Sequence, residues 1–197
     1  MLKNNEVLTG VVRLSYANIW APKDFGDGKP KYTCSLIIRK DDDKTLSAIK
    51  NKFTALLRDP KVITKLGGPQ QAHSKGLHLP IRDGDTDKKK AGDAAYENSY
   101  FINCSNTEAY PPKIFDRHGD EILDKTEVYS GCYARVIISF FPYNHMSNFG
   151  ISASITAIQK WKDGEALGGV NISSSDFNDG FSDGSSTDDT TADDDLF

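Results

Sequence analysis

Several segments of the chain alternate apolar and polar residues loosely with the two-residue period of β-strands. Five segments are rich in β-branched and aromatic residues and are bounded by Gly, Pro or Asn. They are EVLTGVVRLSYANI, KYTCSLIIRK, YFINCSN, GCYARVIISFFPYN and FGISASITAIQKW. The short NHMSN segment between the last two can close a hairpin. The pattern therefore predicts five major strands.

One segment, DDDKTLSAIKNKFTALLRDP, has the apolar spacing of a helix instead. Its apolar residues recur at intervals of three and four, namely Leu46, Ile49, Phe53, Leu56 and Leu57. Asp43 is a favourable N-cap, and Pro60 ends the helical pattern. We therefore expect one main α-helix after the second strand.

The element order favours a mainly β fold. Five strands, one helix, long loops and fewer than 170 ordered residues fit a closed five-stranded barrel of the oligonucleotide-binding (OB) type. A β-sandwich is the second architecture that the pattern allows. Residues 69–98 are polar and basic in patches, and we expect them to form a long loop.

The last part of the chain has a different composition. Residues 171–197 are mostly Ser, Asp, Gly and Thr, with eight aspartates and no Lys or Arg. Such a segment cannot bury enough apolar surface to offset the entropy of ordering. We expect an OB-type domain over 1–169 and a disordered acidic tail over 170–197.

Charge is divided unequally between these two parts. The whole chain has a net charge of -4, whereas residues 1–170 hold 24 basic and 20 acidic side chains, a net of +4. This asymmetry is typical of a protein that binds polyanions and carries an acidic arm, although an acidic tail can also serve solubility alone.

Cysteine usage and hydropathy bear on the compartment. Cys34, Cys104 and Cys132 are odd in number and far apart, which does not suggest a disulfide framework. We find no signal-peptide pattern and no apolar run of membrane-spanning length. These features predict a protein of the cytoplasm without a membrane partner.

Catalytic and metal-binding motifs give little support for an enzyme. Phosphate-binding glycine motifs and paired metal-ligating His or Cys are missing. RDGDTD begins like a calcium loop, but Lys88 and Ala94 occupy the positions that require Gly and Glu. We expect no catalytic residues, metal or cofactor. A nuclease that uses Asp83 and Asp85 remains an alternative, as does a structural β-protein of a virion.

The segment YARVIISFFPY places aromatic and basic residues on one strand face. Alternation puts Tyr133, Arg135, Phe141 and Tyr143 on one side and an apolar series on the other. Bases of single-stranded nucleic acid stack on such rings at about 1–3 kcal/mol each, and arginine pairs with phosphate. We therefore predict Arg135, Phe141 and Tyr143 as DNA-binding residues. Alternatively, the two rings pack under a loop.

The first two strands and their connecting loop add further candidates. In OB barrels this loop and the face of strands two and three form the binding channel. The candidates are Arg13, Tyr16, Trp20, Lys23, Lys29, Lys31 and Tyr32, with Arg82 and Lys88–Lys90 as a flexible basic rim.

Together these segments resemble a known family. The chain resembles bacteriophage single-stranded DNA-binding proteins of the OB type, which also end in an acidic tail capped by phenylalanine. The segments that carry the resemblance are VRLSYANIWAPK, KYTCSLIIRK, LPIRDGD, YFINCSN, YSGCYARVIISFFPYN and FGISASITAIQKWKDGEALGG. The resemblance implies an OB fold, sequence-independent binding of single strands, no catalysis, and a tail that contacts replication and recombination enzymes. We expect a monomer or a weak dimer.

The acidic tail suggests a regulatory hypothesis. Asp193, Asp194, Asp195, Leu196 and Phe197 offer carboxylates and an aromatic ring, much as a single strand offers phosphates and bases. A flexible segment of 27 residues spans about 30 Å, and a body of this size is roughly 40 Å across. We expect these residues to compete with DNA and, once displaced, to bind partner proteins.

Overall fold

Our computed structural model describes residues 2–146 and 148–168, and the structural statements below refer to those residues. They form seven strands and three helices. The strands are β1 (Glu6–Lys23), β2 (Lys31–Arg39), β3 (Ile81–Asp83), β4 (Ser99–Thr107), β5 (Lys113–Phe115), β6 (Tyr133–His145) and β7 (Asn148–Lys162). The helices are α1 (Asp43–Leu56), α2 (Pro60–Leu66) and α3 (Pro69–Ala72).

All seven strands belong to one curved sheet in the order β3-β4-β2-β1-β6-β7-β5. Every neighbouring pair is antiparallel except β5 and β7, which are parallel. The mainly β class with one main helix is confirmed. Because the strands form a single sheet, the β-sandwich alternative is not supported.

The core lies on the inner face of this sheet. Alternation along each strand turns one apolar series inward. Leu14, Leu36, Ile102, Val136 and Ile155 contribute from the five long strands and are at most 1% exposed. The apolar series predicted on β6 is likewise buried, so its other face is directed outward, as expected.

The sheet does not close into the expected five-stranded barrel through a continuous backbone ladder. Two other connections join β4 to β7. The Asn106 side chain on β4 donates to the Ile155 carbonyl at 2.7 Å and accepts from the Ile155 N–H at 2.8 Å. His78, just before β3, bonds to the backbone of Phe149 and Ile151 on β7. The short strand β3 then pairs with β4.

Gly150 permits the second of these connections. A Cβ atom at this position would lie 2.2 Å from the His78 carbonyl oxygen, so only glycine allows the two backbones to approach. Glycine is therefore required where the segment preceding β3 forms a parallel bridge with β7.

Helix α1 packs its buried side against the core of the sheet. Thr45, Ile49, Phe53 and Leu56 form its buried side, and the Phe53 ring packs edge-on against Phe140 at 4.8 Å between centroids. The N-cap is Asp42, whose carboxylate accepts from the Thr45 N–H at 3.0 Å. The prediction of Asp43 as N-cap was wrong by one residue.

Pro60 ends α1 as predicted but also begins another helix. Asp59 caps α2 by accepting from the Lys61 N–H at 2.8 Å, and Pro60 occupies the first turn, where no N–H donor is needed. None of the described helices combines the length and apolar character required to cross a bilayer.

Residues 69–98 are not simply a long loop. They supply α3, the His78 bridge and β3, and residues 84–98 then cover part of the outer face of the sheet. Tyr96 from this covering segment packs on Ile37 and Phe101, with the Tyr96 and Phe101 rings 5.2 Å apart at 86°. The polar composition of the segment concealed its one large buried ring.

We predict that Asn106→Ala lowers the free energy of unfolding by about 3 kcal/mol, because the buried N–H and C=O of Ile155 each lose a partner. Urea unfolding monitored by circular dichroism measures this change. Thr107→Ala, at the exposed next position, should change stability by less than about 0.5 kcal/mol. Equal losses for the two variants would contradict a joining role for Asn106.

Candidate nucleic-acid interface

A cleft of about 780 Å³ lies on the outer face of β1, β2 and β4, and we call it the sheet cleft. Its floor consists of small polar side chains on paired strands. Thr33 lies opposite Ser105, and Ser35 lies opposite Asn103. Small side chains keep the floor low, so a bound chain can approach the sheet closely.

One floor residue has an unused hydrogen-bonding group. Ser35 is 3% exposed, and its Oγ has no hydrogen-bond partner among the described residues. Buried polar atoms are nearly always paired in folded proteins. An unpaired hydroxyl in the floor of a cleft indicates a position where a ligand or water completes the bonding.

Aromatic side chains form the walls of the sheet cleft. Tyr16 and Phe25 are 60% and 58% exposed, and both line it. Lys23 also lines the cleft, with its Nζ 5.8 Å from the centroid of the Phe25 ring. Exposed rings beside a cation are the groups that stack on bases and neutralise phosphate.

A β-bulge displays the Tyr16 ring. Between the pairs Ser15–Ser35 and Asn18–Thr33, β1 has one more residue than β2. Tyr16 adopts φ of +48°, which is uncommon for a residue other than glycine. The extra residue turns the Tyr16 ring out of the strand and into the cleft wall.

Lys90 holds this ring from the covering segment 84–98. Its Nζ donates to the Tyr16 Oη at 2.8 Å and lies 4.2 and 4.3 Å from the ring centroids of Tyr16 and Tyr96. Burial opposes the charge on Lys90, but the hydrogen bond to Tyr16 and the nearby Tyr96 and Asp93 outweigh it, so its pKa is raised. The amine is a positive charge fixed at the cleft wall.

A second cleft of about 480 Å³ adjoins the first, and we call it the edge cleft. Arg82, Tyr143 and Asn148 line it, and Asn103 lines both clefts. The Arg82 side chain is 55% exposed and lies 3.7 Å from Asp87. The two clefts together form one groove that runs across the outer face from β1 to β7.

An ion-pair cluster fixes the covering segment to the sheet. Lys40 Nζ lies 2.8 Å from Asp83 and 2.7 Å from Asp85. Asp85 also accepts from the Asn98 N–H at 2.9 Å. The bonds from Lys40 and then Asn98 lower the pKa of Asp85.

Six of the predicted residues line this groove, namely Tyr16, Lys23, Arg82, Lys89, Lys90 and Tyr143. Phe141 lies beside it, since this 40% exposed residue pairs with the edge-cleft residue Ser152. Arg135 is eight residues from Tyr143 along β6, or about 27 Å. The fold therefore does not bring Arg135 together with the two rings.

Three other predicted residues do not line the groove, because their side chains bond to the backbone or lie on the inner face of the sheet. Trp20 packs against the core, and its Nε1 donates to the Val128 carbonyl at 2.8 Å. Arg13 donates to the carbonyls of Gly131 and Glu165 at 3.2 and 2.8 Å. Tyr32 is two residues from the buried Cys34 on β2, so its side chain lies on the inner face of the sheet and not on the cleft floor.

The remaining lysines lie around the loop that joins β1 and β2. Lys29 is exposed in this loop. Lys31 forms an ion pair with Asp27 at 2.8 Å, so part of its charge is already neutralised. The predicted partner-binding residues Asp193, Asp194, Asp195, Leu196 and Phe197 lie outside the described residues.

Sequence reasoning did not single out several groove residues. Phe25 was recognisable as a ring in a Gly/Pro loop. Lys90 was grouped with Lys88 and Lys89 in a flexible rim, but its side chain is only 14% exposed. Ser35 and Asn103 have no distinctive signal, because small polar residues on a strand match an ordinary solvated face.

The acids of RDGDTD do not form a metal site. Across residues 2–146 and 148–168, no cluster of three or more His, Cys, Asp or Glu is placed to hold a metal ion. Lys40 bridges Asp83 and Asp85, and Arg82 lies near Asp87. Cations already occupy the space between these carboxylates.

The three cysteines are free and buried. Burial raises the pKa of Cys34 to about 12 and that of Cys104 well above its usual value. The pKa of Cys132 is raised for the same reason. A thiol that stays protonated is a poor nucleophile and metal ligand.

Comparison with known proteins identifies the family. The family model described as Enterobacter phage Enc34, ssDNA-binding protein, matches residues 5–194. The chain belongs to this family. The resemblance found in the sequence motifs is confirmed, and the function named for the family is DNA binding rather than catalysis.

Two solved structures and one curated relative are similar over most of the chain. The single-stranded DNA-binding protein of bacteriophage Enc34, in complex with ssDNA, superposes with a TM-score of 0.70 at 23% identity, covering 84% of this chain and 91% of that one. The gp2.5 single-stranded DNA-binding protein of bacteriophage T7 has a TM-score of 0.57 at 13% identity, covering 93% and 98%. Putative protein p50 of Acyrthosiphon pisum secondary endosymbiont phage 1 is 26% identical, covering 83% and 86%.

We predict that Asp85→Ala loosens the covering segment, because Lys40 and the Asn98 N–H each lose a partner. Amide hydrogen exchange in residues 84–98 should accelerate, whereas exchange in β6 should not. Asp24→Ala, in the loop between β1 and β2, is the matched control.

Acid should have the same effect on the unmodified chain. The pKa of Asp85 is lowered by folding, so its contribution is present above the unfolded pKa of about 4 and is lost as the pH falls through the folded value. If exchange in 84–98 keeps the same ratio to exchange in β6 in both variants and as the pH falls, this role is contradicted.

Proposed function

We propose that this protein binds single-stranded DNA without sequence preference in the groove formed by the sheet cleft and the edge cleft. The observation that carries the proposal is the composition of that groove. The exposed rings of Tyr16 and Phe25 and the partly exposed ring of Tyr143 line the groove together with Lys23 and Arg82. Membership of the Enc34 family supports the same conclusion.

The chemistry of the groove favours unpaired strands of any sequence. Every base has a π-face that can stack on an aromatic side chain, and lysine or arginine neutralises any phosphate. The bases of a duplex are already stacked on one another. Stacking on the rings of Tyr16 and Phe25 therefore favours a strand whose bases are unpaired and unstacked.

Binding should depend strongly on salt. Each phosphate neutralised releases counterions, so affinity falls as salt concentration rises. The net charge of +4 over residues 1–170 is modest. We therefore assign a large share of the affinity to stacking, with cations fixing the path of the backbone.

We further propose that the protein acts in replication, recombination and repair of phage DNA in the host cytoplasm, as a monomer or weak dimer. Asp193–Phe197 would compete with DNA for the groove and, when displaced, recruit replication and recombination proteins. The division of charge between body and tail supports this role.

The alternatives identified from the sequence have less support. A metal-dependent nuclease needs carboxylates that converge on an ion, whereas Asp83 and Asp85 pair with Lys40. A structural β-protein of a virion has no need for exposed rings beside cations in a groove. Failure to shift any single-stranded oligonucleotide would favour that reading.

We predict that Phe25→Ala and Tyr16→Ala each weaken binding to oligo-dT by about 1–3 kcal/mol through loss of a stacking surface. Fluorescence anisotropy with a labelled oligonucleotide measures the change. Phe25→Leu separates stacking from apolar contact, because it keeps an apolar side chain without a ring.

Tyr110→Ala provides the matched control. Tyr110 is 72% exposed and lines neither cleft, so its loss should leave the affinity unchanged. If Phe25→Ala and Tyr16→Ala bind like Tyr110→Ala, the groove is not the DNA site.

Removal of residues 188–197, with their five aspartates, should strengthen binding to oligo-dT at low salt. The gain should disappear at high salt, where screening removes competition between like charges. Leu196→Ala with Phe197→Ala keeps the acidic charge and separates its effect from that of the apolar pair. Unchanged affinity of the shortened chain at low salt would rule out competition.

A further inference from the structure

A second group of cations and rings lies on the outer face of the sheet, apart from the groove. We call it the outer strip, formed by Arg117, Tyr133, Arg135, Trp161 and Lys162. Arg117 follows β5, Tyr133 and Arg135 are on β6, and Trp161 and Lys162 end β7. All five are at least partly exposed.

The rings of the outer strip hold its cations in place. Arg117 and Arg135 have their Cζ atoms 4.5 and 6.0 Å from the centroid of the Trp161 ring. Lys162 Nζ lies 4.7 Å from the centroid of Tyr133. A cation over a ring face gains modest stabilisation and keeps its full charge.

These three cations lack the carboxylate partners that neighbouring cations have. Within residues 2–146 and 148–168, no carboxylate oxygen lies within 4.0 Å of the charged groups of Arg117, Arg135 or Lys162. Lys160, also on β7, pairs with both Glu127 and Asp163 at 2.9 Å. The outer strip is thus a patch of positioned, uncompensated positive charge.

The outer strip continues from the wall of the sheet cleft. Arg13 on β1 pairs across the ladder with Tyr133, which pairs in turn with Lys162. Arg13 also donates to the Gly131 carbonyl, next to Ser130, which lines the sheet cleft. Two strand spacings, about 10 Å, separate β1 from β7.

We propose that the outer strip is a second contact for the same single strand, bound by the phosphates of nucleotides that leave the sheet cleft past β1. The inference rests on the proposed function and extends its footprint. Recognition is by charge and therefore independent of sequence. Oligonucleotides long enough to pass β1 and reach Trp161 and Lys162 gain these contacts, and short ones do not.

The test is a comparison of oligonucleotide lengths on the full chain. Arg117→Gln with Lys162→Gln removes two charges from exposed side chains. We expect affinity for oligo-dT of about 6 nucleotides to be unchanged and affinity for about 16 nucleotides, the upper range for one OB fold, to fall about tenfold at low salt. The salt slope for the longer strand should decrease in magnitude by about 1.4, or 0.7 for each phosphate contact.

Lys44→Gln with Lys50→Gln is the control variant. It makes the same change in net charge on exposed positions of α1, a helix that packs against the core. This variant should bind both lengths like the unmodified chain. Equal weakening by the two double variants would show that net charge alone matters and would overturn the proposal.

Other outcomes distinguish this proposal from binding in the groove alone and from binding of the acidic segment. If Phe25→Ala weakens binding of both lengths while the Arg117 and Lys162 changes affect neither, the groove binds DNA and the outer strip does not. If those changes strengthen binding of the short strand, the strip holds the acidic segment of the chain instead, and the proposal fails. If neither Phe25→Ala nor Tyr16→Ala weakens binding of either length, the groove is not the DNA site and the proposed function itself fails.

Discussion

The connection between β4 and β7 is the constraint on which the rest of the structure depends. One buried amide, on Asn106, satisfies the N–H and C=O of Ile155 where no backbone ladder does so. The parallel bridge between His78 and Gly150 completes the junction. This junction brings the edge of β4, with Asn103, beside the first residues of β7, so that two separate clefts become one groove.

Three residues of the groove have local features that are uncommon in folded proteins. Tyr16 has a positive φ at a bulge, Ser35 has an unpaired hydroxyl, and Lys90 has its amine largely buried between two rings. The positive φ of Tyr16 and the unpaired hydroxyl of Ser35 each cost stability, and such costs persist where the surrounding structure is rigid. The apolar core beneath and the Lys40 ion pairs beside the groove supply that rigidity.

The long strands and α1 could be predicted because their apolar patterns are strong and their environment is half-buried. The inward series of β6 and the outward direction of Tyr143 follow from alternation alone. Trp20 and Arg13 could not be placed this way, because their roles depend on carbonyl groups more than a hundred residues away. Phe25 and Lys90 required knowledge of which loop folds back over the sheet. Asn106 carries no signal at all, since a buried asparagine on a strand looks like a solvated one.

The burial of all three thiols has a practical consequence. With Cys34, Cys104 and Cys132 inside the fold and their pKa values raised, the unmodified chain presents no reactive sulfhydryl among the described residues. An engineered cysteine at a solvent-facing position would then be the sole target of maleimide dyes. Pairs of fluorophores could then report distances within the folded protein without replacement of its native cysteines.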